Sequence, residues 1–166
     1  MKRLLCLAAI ACMSLFISCE KQGVPHTGDL TGNLYGIWAL TTKSETYPNN
    51  DGPQASYDED YTAYHFYLVL SEFPFPHALA KKGSLGAFDL DDVDVDAVRF
   101  TYNSDSHQIS FKKTLWLSDE LLTRNMILSG TFDVTELSET TLTIQQHEKL
   151  TGKTVGYTYT RQKNNR

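Results

Sequence analysis

Cysteine is scarce in this chain, and the positions of its three cysteines limit the roles they can have. Cys6, Cys12 and Cys19 all lie within the first 19 residues, and the 147 residues that follow contain none. Downstream of Cys19 the sequence therefore excludes a disulfide framework, a thiol nucleophile and a cysteine-based zinc site.

Long apolar segments are also missing, apart from one near the N-terminus. Lys2 and Arg3 precede fourteen uncharged residues, 4–17, and this run is shorter than the ~20 residues of a stable membrane-spanning helix. A short apolar segment behind a positive N-terminus is typical of a secretory signal peptide. The predicted signal peptide covers residues 1–18.

The residues before Cys19 resemble the lipobox of bacterial lipoproteins. Phe16-Ile17-Ser18-Cys19 places apolar residues and then a small one before the cysteine. The resemblance implies cleavage before Cys19 and acylation of this residue, for instance with palmitate, so that lipid attaches the protein to the membrane. It also implies a location in the cell envelope, on the outer membrane. Two or more acyl chains give stable attachment, since each buried CH₂ contributes ~0.8 kcal/mol. An ordinary secretory signal with a chance cysteine is the alternative.

Positive charge is scarce as well. Without residues 1–18, 13 basic residues face 20 acidic ones, and the formal net charge changes from −5 to −7. An acidic body argues against nucleic acid as a partner and against electrostatic docking on anionic lipids, because phosphate binding needs clustered Lys and Arg. The remaining 148 residues fit a single domain.

The domain is predicted to begin with a tether and to continue as strands. Residues 19–33 are polar and contain three glycines and one proline, which predicts a flexible tether. From residue 34 to 166, apolar residues recur at every second position in segments rich in β-branched and aromatic residues, a pattern that predicts strands. The seven segments are 34–43, 61–73, 97–103, 107–113, 126–134, 140–149 and 154–163.

The connections between these segments indicate the fold class. An eighth strand is expected in 89–95 or 113–117, and most joints are short and polar, as in antiparallel hairpins. The pattern predicts an all-β fold, an eight-stranded antiparallel up-and-down barrel, with a β-sandwich as the alternative. Two long loops are expected at 44–60 and 74–90.

Gly36-Ile37-Trp38, near the start of the first predicted strand, resembles the G-x-W signature of lipocalins and their calycin relatives. The whole pattern is similar to that of the small lipocalin-like lipoproteins common in Bacteroidetes. The resemblance implies that Trp38 closes one end of the barrel and that Arg161, on the last strand, packs across its ring. It also implies that loop 44–60 forms a lid over the other end.

No constellation of residues in the sequence indicates catalysis or a bound metal. The five histidines do not pair at metal-ligand spacing, and the sequence has no nucleophile elbow, phosphate-binding loop or dinucleotide fingerprint. Five aspartates in residues 89–96 predict a charged edge that discourages aggregation, with a calcium site as the alternative. We therefore expect a non-catalytic protein with no metal and no cofactor.

Aromatic residues are abundant, with nine Tyr, eight Phe and two Trp. Those predicted to point into the barrel either fill it or line a pocket for a small apolar or glycan-derived ligand. The candidate pocket residues are Tyr64, Phe66, Phe100, Tyr102 and Phe132. With a filled barrel, the alternative is an envelope interaction, structural or inhibitor module that acts through its loops, on partners that the sequence does not identify.

Overall fold

The structure is a computed structural model that describes residues 28–49, 54–84 and 96–163. The predicted signal peptide, Cys19 and residues 89–95 of the acidic run lie outside these ranges. The described residues form nine strands: β1 Gly36–Tyr47, β2 Ala55–Asp60, β3 Phe66–Ser71, β4 His77–Lys82, β5 Val98–Asn103, β6 Gln108–Ser118, β7 Asn125–Leu137, β8 Thr141–His147 and β9 Thr154–Arg161. A 3-10 turn, Thr62–Tyr64, separates β2 from β3.

The strands form one antiparallel sheet that closes on itself. Neighbouring strands follow the order β2-β1-β3-β4-β5-β6-β7-β8-β9, and β1 also pairs with β9. The ring from β1 through β3 to β9 is a closed eight-stranded up-and-down barrel, and β2 is an additional strand. Closure confirms the predicted barrel over the β-sandwich.

β2 and β3 pair with successive halves of the same edge of β1. The first half of β1 pairs with β3, from Gly36 to Ala39, and the second half pairs with β2, from Thr42 to Tyr47. Along the chain β2 and β3 therefore act as two pieces of one barrel strand. At the interruption the backbone N–H of Tyr61 donates to the carbonyl of Thr41 (2.8 Å), which holds the two pieces in line.

The prediction of two long loops is wrong in part, because each of the two segments contains residues that form a strand. Residues 44–47 complete β1 and residues 55–60 form β2, so the expected lid is largely a hairpin. Likewise β4 occupies residues 77–82. The reason is composition: β2 is exposed almost throughout and β4 is rich in alanine and lysine, so neither carries the alternating large apolar residues on which the prediction rested.

Two other expectations also change. Residues 113–117, one of the two candidates for an eighth strand, belong to β6, beyond an irregularity between Phe111 and Leu115. Residues 28–33, the end of the predicted tether, lie against the barrel: the N–H of Gly28 donates to the Thr135 carbonyl (3.1 Å). Any free tether therefore ends before Gly28.

The barrel has a closed end and an open end. The closed end holds the start of β1, the end of β9 and the short turns after β3, β5 and β7. The open end holds the β1–β2 hairpin and the loops after β6 and β8. Between them lies the main core, whose fully buried side chains include Trp38, Phe66, Leu68, Ile109 and Phe132.

A β-bulge in β1 decides which side chains enter the open end. The pairing of β1 with β9 shifts between Leu40 and Thr42, so Thr41 is the extra residue. Leu40 lies opposite the core residue Tyr159, and beyond the bulge Lys43 lies opposite the core residue Tyr157. Because residues directly opposite each other share one face of a sheet, the bulge turns the odd-numbered residues after Thr41 inward.

Candidate functional site

Trp38 and Arg161, predicted to meet at one end of the barrel, are in contact there. Trp38 is fully buried, and its indole Nε1–H donates to the carbonyl of Leu34 (2.8 Å). The Cζ atom of Arg161 lies 4.1 Å from the centre of the indole ring, within the range of a cation–π contact. The two residues are direct partners in the β1–β9 register.

The guanidinium of Arg161 also binds backbone carbonyls around the closed end. Nε donates to Glu139 (2.8 Å), Nη1 donates to Tyr35 (2.8 Å), and Nη2 donates to Asn33. Gly36 makes room for it: this residue has φ 148°, and a Cβ here would lie 2.5 Å from Nη1 of Arg161. The Gly36, Trp38 and Arg161 group is therefore a structural seal, in which each of the three guanidinium nitrogens of Arg161 already donates a hydrogen bond.

The aromatic residues proposed to line an inner pocket lie in or beside the packed core. Phe66, Phe100 and Phe132 are 0, 3 and 1% exposed, while Tyr64 and Tyr102 are half-buried against the same core. Four of the five rings, all but that of Tyr102, have a ring contact among the described residues: for example, Phe111 lies 6.3 Å from Phe100 and 6.0 Å from Phe132, centre to centre. A continuous chain of aromatic contacts thus occupies the space in which a ligand was expected, and only Phe132 borders a hollow described below.

The open end contains a hollow of about 470 Å³ between β1 and β2, lined by Glu45, Tyr47, Ala55, Tyr57 and Glu59. In the antiparallel register Glu45 lies opposite Tyr57 and Tyr47 lies opposite Ala55, so all five side chains share the inward face. Tyr47 and Tyr57 are 39 and 62% exposed and meet edge to face, 6.0 Å apart.

A second hollow of about 330 Å³ opens beside the first, and Glu45 borders both. It lies where β7 separates from β8, since these strands pair only from Asp133 onward. Its polar lining includes Lys43, Asn125, Gln146 and Lys153. The two hollows together are called the polar mouth.

Glu45 is the electrostatic centre of the polar mouth. Its carboxylate lies 3.2 Å from Nζ of Lys43 and 3.0 Å from Nζ of Lys153, and it accepts a hydrogen bond from the Tyr47 hydroxyl (2.6 Å). Burial alone would raise the pKa of Glu45, but hydrogen bonds from Tyr47, Lys153 and Lys43 outweigh it and lower the pKa to about 2. Glu45 is therefore a carboxylate at any physiological pH, positioned to accept further hydrogen bonds.

Side chains bind the backbone N–H and carbonyl groups of β7 in the part of the strand that does not pair with β8. The Tyr157 hydroxyl donates to the carbonyl of Ile127 (3.1 Å) and accepts from its N–H (3.3 Å). Tyr61 does the same for Asn125, at 2.9 and 3.1 Å. The Nε2 amide of Gln146 donates to the carbonyls of Ser129 and Thr131. These bonds give partners to backbone groups of β7 that β8 does not reach.

A larger groove, of about 720 Å³, lies outside the closed end and includes Phe73, Glu72 and Gln162 in its wall. Of the two cationic residues in its wall, Arg161 and Lys163, Arg161 is already bound to three backbone carbonyls. The polar mouth is the better candidate site, because aromatic faces and partly exposed polar groups converge there.

Sequence reasoning missed the polar mouth, because all five residues that line its first hollow fall in segment 44–60, which was predicted to be a loop. A signal was present in the alternation of Lys43, Glu45 and Tyr47, and again in Tyr57 and Glu59. Period-two polar residues predict a strand as well as apolar ones do, provided that the face they share is open to water.

Other features of the described residues add no further site. Among them, no group of three or more His, Cys, Asp or Glu side chains is placed to hold a metal ion. No helix within the same ranges is long and apolar enough to cross a membrane. No family model matches the chain, and no curated protein or solved structure matches it either.

Proposed function

We propose that this protein is a lipid-anchored, non-catalytic binding module of the cell envelope, and that its ligand is small and glycan-derived. The anchor is Cys19, after removal of residues 1–18. The binding site is the polar mouth at the open end of the barrel. An apolar ligand inside the barrel is the weaker possibility, since packed rings such as Phe111 and Phe132 occupy that space.

The observation that carries this proposal is the exposed Tyr47–Tyr57 pair beside the Glu45 carboxylate. A sugar ring has apolar faces that pack on aromatic rings and a rim of hydroxyls that bind charged groups. Tyrosine supplies both an apolar face and a polar tip. Glu45 accepts hydrogen bonds and Lys43 and Lys153 donate them, so the mouth offers both kinds of partner to a neutral polyol.

The size and charge of the polar mouth agree with such a ligand. Its hollows, about 470 and 330 Å³, fall in the ~300–1,000 Å³ range of small-molecule sites. The charges nearly cancel, because Lys43 and Lys153 flank Glu45, and Arg124 lies 3.4 Å from Glu59. A neutral ligand fits this balance better than an ion does.

Calorimetric titration tests the proposal. The probes are three neutral tetrasaccharides of glucose or N-acetylglucosamine: maltotetraose, cellotetraose and chitotetraose. We expect saturable binding of at least one, abolished by Tyr57→Ala and weakened by Glu45→Gln. Thr46→Ala is the matched control, since Thr46 lies on the outer face of the same hairpin, and it should bind as the native protein does. Binding of no probe, or binding that survives Tyr57→Ala, would overturn the proposal.

A second function has support from a different observation. Four large apolar side chains on the β6–β7 hairpin are exposed, among them Trp116 at 56% and Leu121 at 81%. With a filled barrel, such a surface favours an interaction module that acts through its loops. Capture of a defined envelope partner that depends on Trp116 and Leu121, together with no binding of the tetrasaccharides, would favour this function.

A further inference from the structure

The β6–β7 hairpin carries an apolar surface that the barrel does not need for its own packing. Trp116 and Ile127 lie directly opposite each other in the β6–β7 register and are 56 and 44% exposed. Leu121 and Leu122, in the loop that joins the two strands, are 81 and 67% exposed. These four residues are called the β6–β7 ridge. Several large exposed apolar side chains on one hairpin are a feature of interaction surfaces.

The loop of the ridge holds its leucines outward by a defined set of bonds. The carboxylate of Asp119 accepts from the N–H of Arg124 (2.9 Å) and from the hydroxyl of Thr123 (2.6 Å). The N–H of Leu122 donates to the Asp119 carbonyl (3.2 Å). Leu122 has φ 55°, a left-handed conformation that is uncommon for a leucine. The loop is therefore preorganised, and nothing in its packing requires leucine at either position.

The N-terminal segment leaves the barrel on the same wall. Val134 of β7 donates to the His107 carbonyl (2.7 Å), next to the start of β6, and Leu137 then donates to the Asp29 carbonyl (2.5 Å). Residues 28–32 thus continue the position of β6 along β7. Ile127 lies eight residues before Thr135 on β7, a distance of roughly 26 Å. The nine residues 19–27 can span up to ~30 Å.

We propose that the β6–β7 ridge inserts into the interfacial region of the bilayer that holds the lipid on Cys19. This inference rests on the lipid anchor of the proposed function. The described chain begins at Gly28 on the wall that carries the ridge, and nine residues are enough to reach along that wall, so the lipid and the ridge can both contact a single membrane plane with the barrel on its side. Tryptophan and leucine are residues that enter the headgroup and acyl boundary.

The charges around the ridge agree with apolar insertion. Lys112 and Lys113 are both exposed at the irregularity in β6 and can reach lipid phosphates at its edge. Asp119 is bonded within the loop, Arg124 is paired with Glu59, and Glu120 is exposed. Positive and negative groups nearly balance, so binding depends on apolar burial and changes little with salt.

The orientation also places the proposed binding site at the membrane. The ridge lies at the open end, near Asn125 of the polar mouth. With the ridge in the bilayer, the mouth opens alongside the membrane surface, where it meets ligands carried by lipids or shed near them.

Fluorescence quenching tests the ridge in the intact, lipidated protein. The protein is reconstituted in vesicles of phosphatidylcholine and phosphatidylethanolamine, with or without bromine on the acyl chains. Trp38 is fully buried and Trp116 is 56% exposed, so the Trp116→Phe variant gives the Trp38 background. We expect a blue shift of Trp116 emission on the vesicles and a loss of emission when the chains are brominated.

Two variants separate the ridge from exposed leucine in general. Leu121→Ser with Leu122→Asn should restore most of the lost emission, and asparagine tolerates the left-handed backbone at position 122. Leu150→Ser is the matched control, because Leu150 is fully exposed on the β8–β9 loop, and it should be quenched as the native protein is.

Each other outcome overturns the inference. If the protein stays on the vesicles but Trp116 is not quenched, the lipid anchor is supported and insertion of the ridge is ruled out. If the protein does not associate with vesicles at all, both the anchor and the insertion are ruled out. Equal effects of the Leu150 and Leu121/Leu122 changes would assign the contact to the whole open end. Shielding of Trp116 that follows protein concentration without lipid would assign the ridge to a second copy of the chain.

Discussion

Arg161 and Glu45 are both charged side chains that the barrel half-buries, one at each end. Arg161 donates to three backbone carbonyls and covers the Trp38 ring, so its polar atoms are committed to closing the barrel. Glu45 is held between Lys43 and Lys153 but borders two hollows. One residue therefore serves stability alone, and the other combines stability with a surface open to ligands.

A double-mutant cycle tests the closed end. Trp38→Ala should lower the free energy of unfolding by ~3–5 kcal/mol, the range for a buried large aromatic side chain. Arg161→Ala should cost less, and the two changes should couple by ~0.5 kcal/mol or more because the side chains touch. Chemical denaturation of the four proteins measures this. Strict additivity would contradict the seal.

The pH dependence of stability tests Glu45. Its pKa in the folded protein is about 2, below the ordinary 4.5, so its ionised form stabilises the fold above pH 4.5. That contribution is lost as the pH falls from 4.5 to 2. Glu45→Gln should therefore lower the free energy of unfolding at pH 7 by ~1 kcal/mol or less, with a lower melting temperature. The difference in stability between the two proteins should vanish near pH 2. A difference that stays constant over this range would be evidence against the carboxylate network.

At the scale of elements, two irregularities create the polar mouth. The bulge at Thr41 turns Lys43 and Glu45 inward, and the separation of β7 from β8 opens the second hollow. Tyr157 and Tyr61 replace the missing β8 partners by binding the backbone of Ile127 and Asn125. The site thus depends on departures from regular sheet geometry.

Replacing Tyr157 tests the role of these hydroxyls. Tyr157→Phe leaves the N–H and carbonyl of Ile127 without the hydroxyl, so we expect a loss of ~1–3 kcal/mol in the free energy of unfolding. Tyr57→Phe is the control: Tyr57 is 62% exposed, and its change should stay within ~0.5 kcal/mol. Equal effects of the two substitutions in urea denaturation would argue that Tyr157 does not hold β7.

The same irregularities explain how much of the molecule the sequence could reveal. Segments with inward apolar residues at every second position, such as Val98 with Phe100 and Leu142 with Ile144, predicted strands that the structure contains. The contact of Trp38 with Arg161 was implied by the resemblance to lipocalins, not by spacing. β2 was not predicted, because its sequence ASYDED has almost no apolar side chain. The polar mouth was not predicted, because a one-residue bulge changes which face of β1 the following residues point to.

For the molecule as a whole, the fold and the proposed anchor together favour one orientation of the barrel relative to the membrane. The described chain begins at Gly28 on the β6–β7 wall, and the only cysteine that survives the predicted cleavage is Cys19. Attachment through lipid at this position keeps the barrel within nine residues of the bilayer, so the polar mouth would sample ligands close to the membrane surface.

Replacing Cys19 tests the anchor. Cys19→Ala removes the predicted acylation site, so we expect no incorporation of a labelled palmitate analogue. We also expect loss of the protein from the membrane fraction after a high-salt wash, because the ridge alone binds reversibly. Label on the native protein that persists in the Ala variant, or a washed variant that stays with the membranes, would contradict the lipoprotein prediction.

NMR chemical-shift mapping distinguishes a ligand bound at the polar mouth from one bound inside the barrel. The protein with labelled backbone amides is titrated with a tetrasaccharide that binds in the calorimetric assay. We expect shifts concentrated in residues 43–47, 55–59 and 153–157, with the amides of Phe66, Phe100 and Ile109 little changed, because these buried core residues border neither hollow. Shifts centred on those core residues, or confined to the β6–β7 ridge, would overturn binding at the polar mouth.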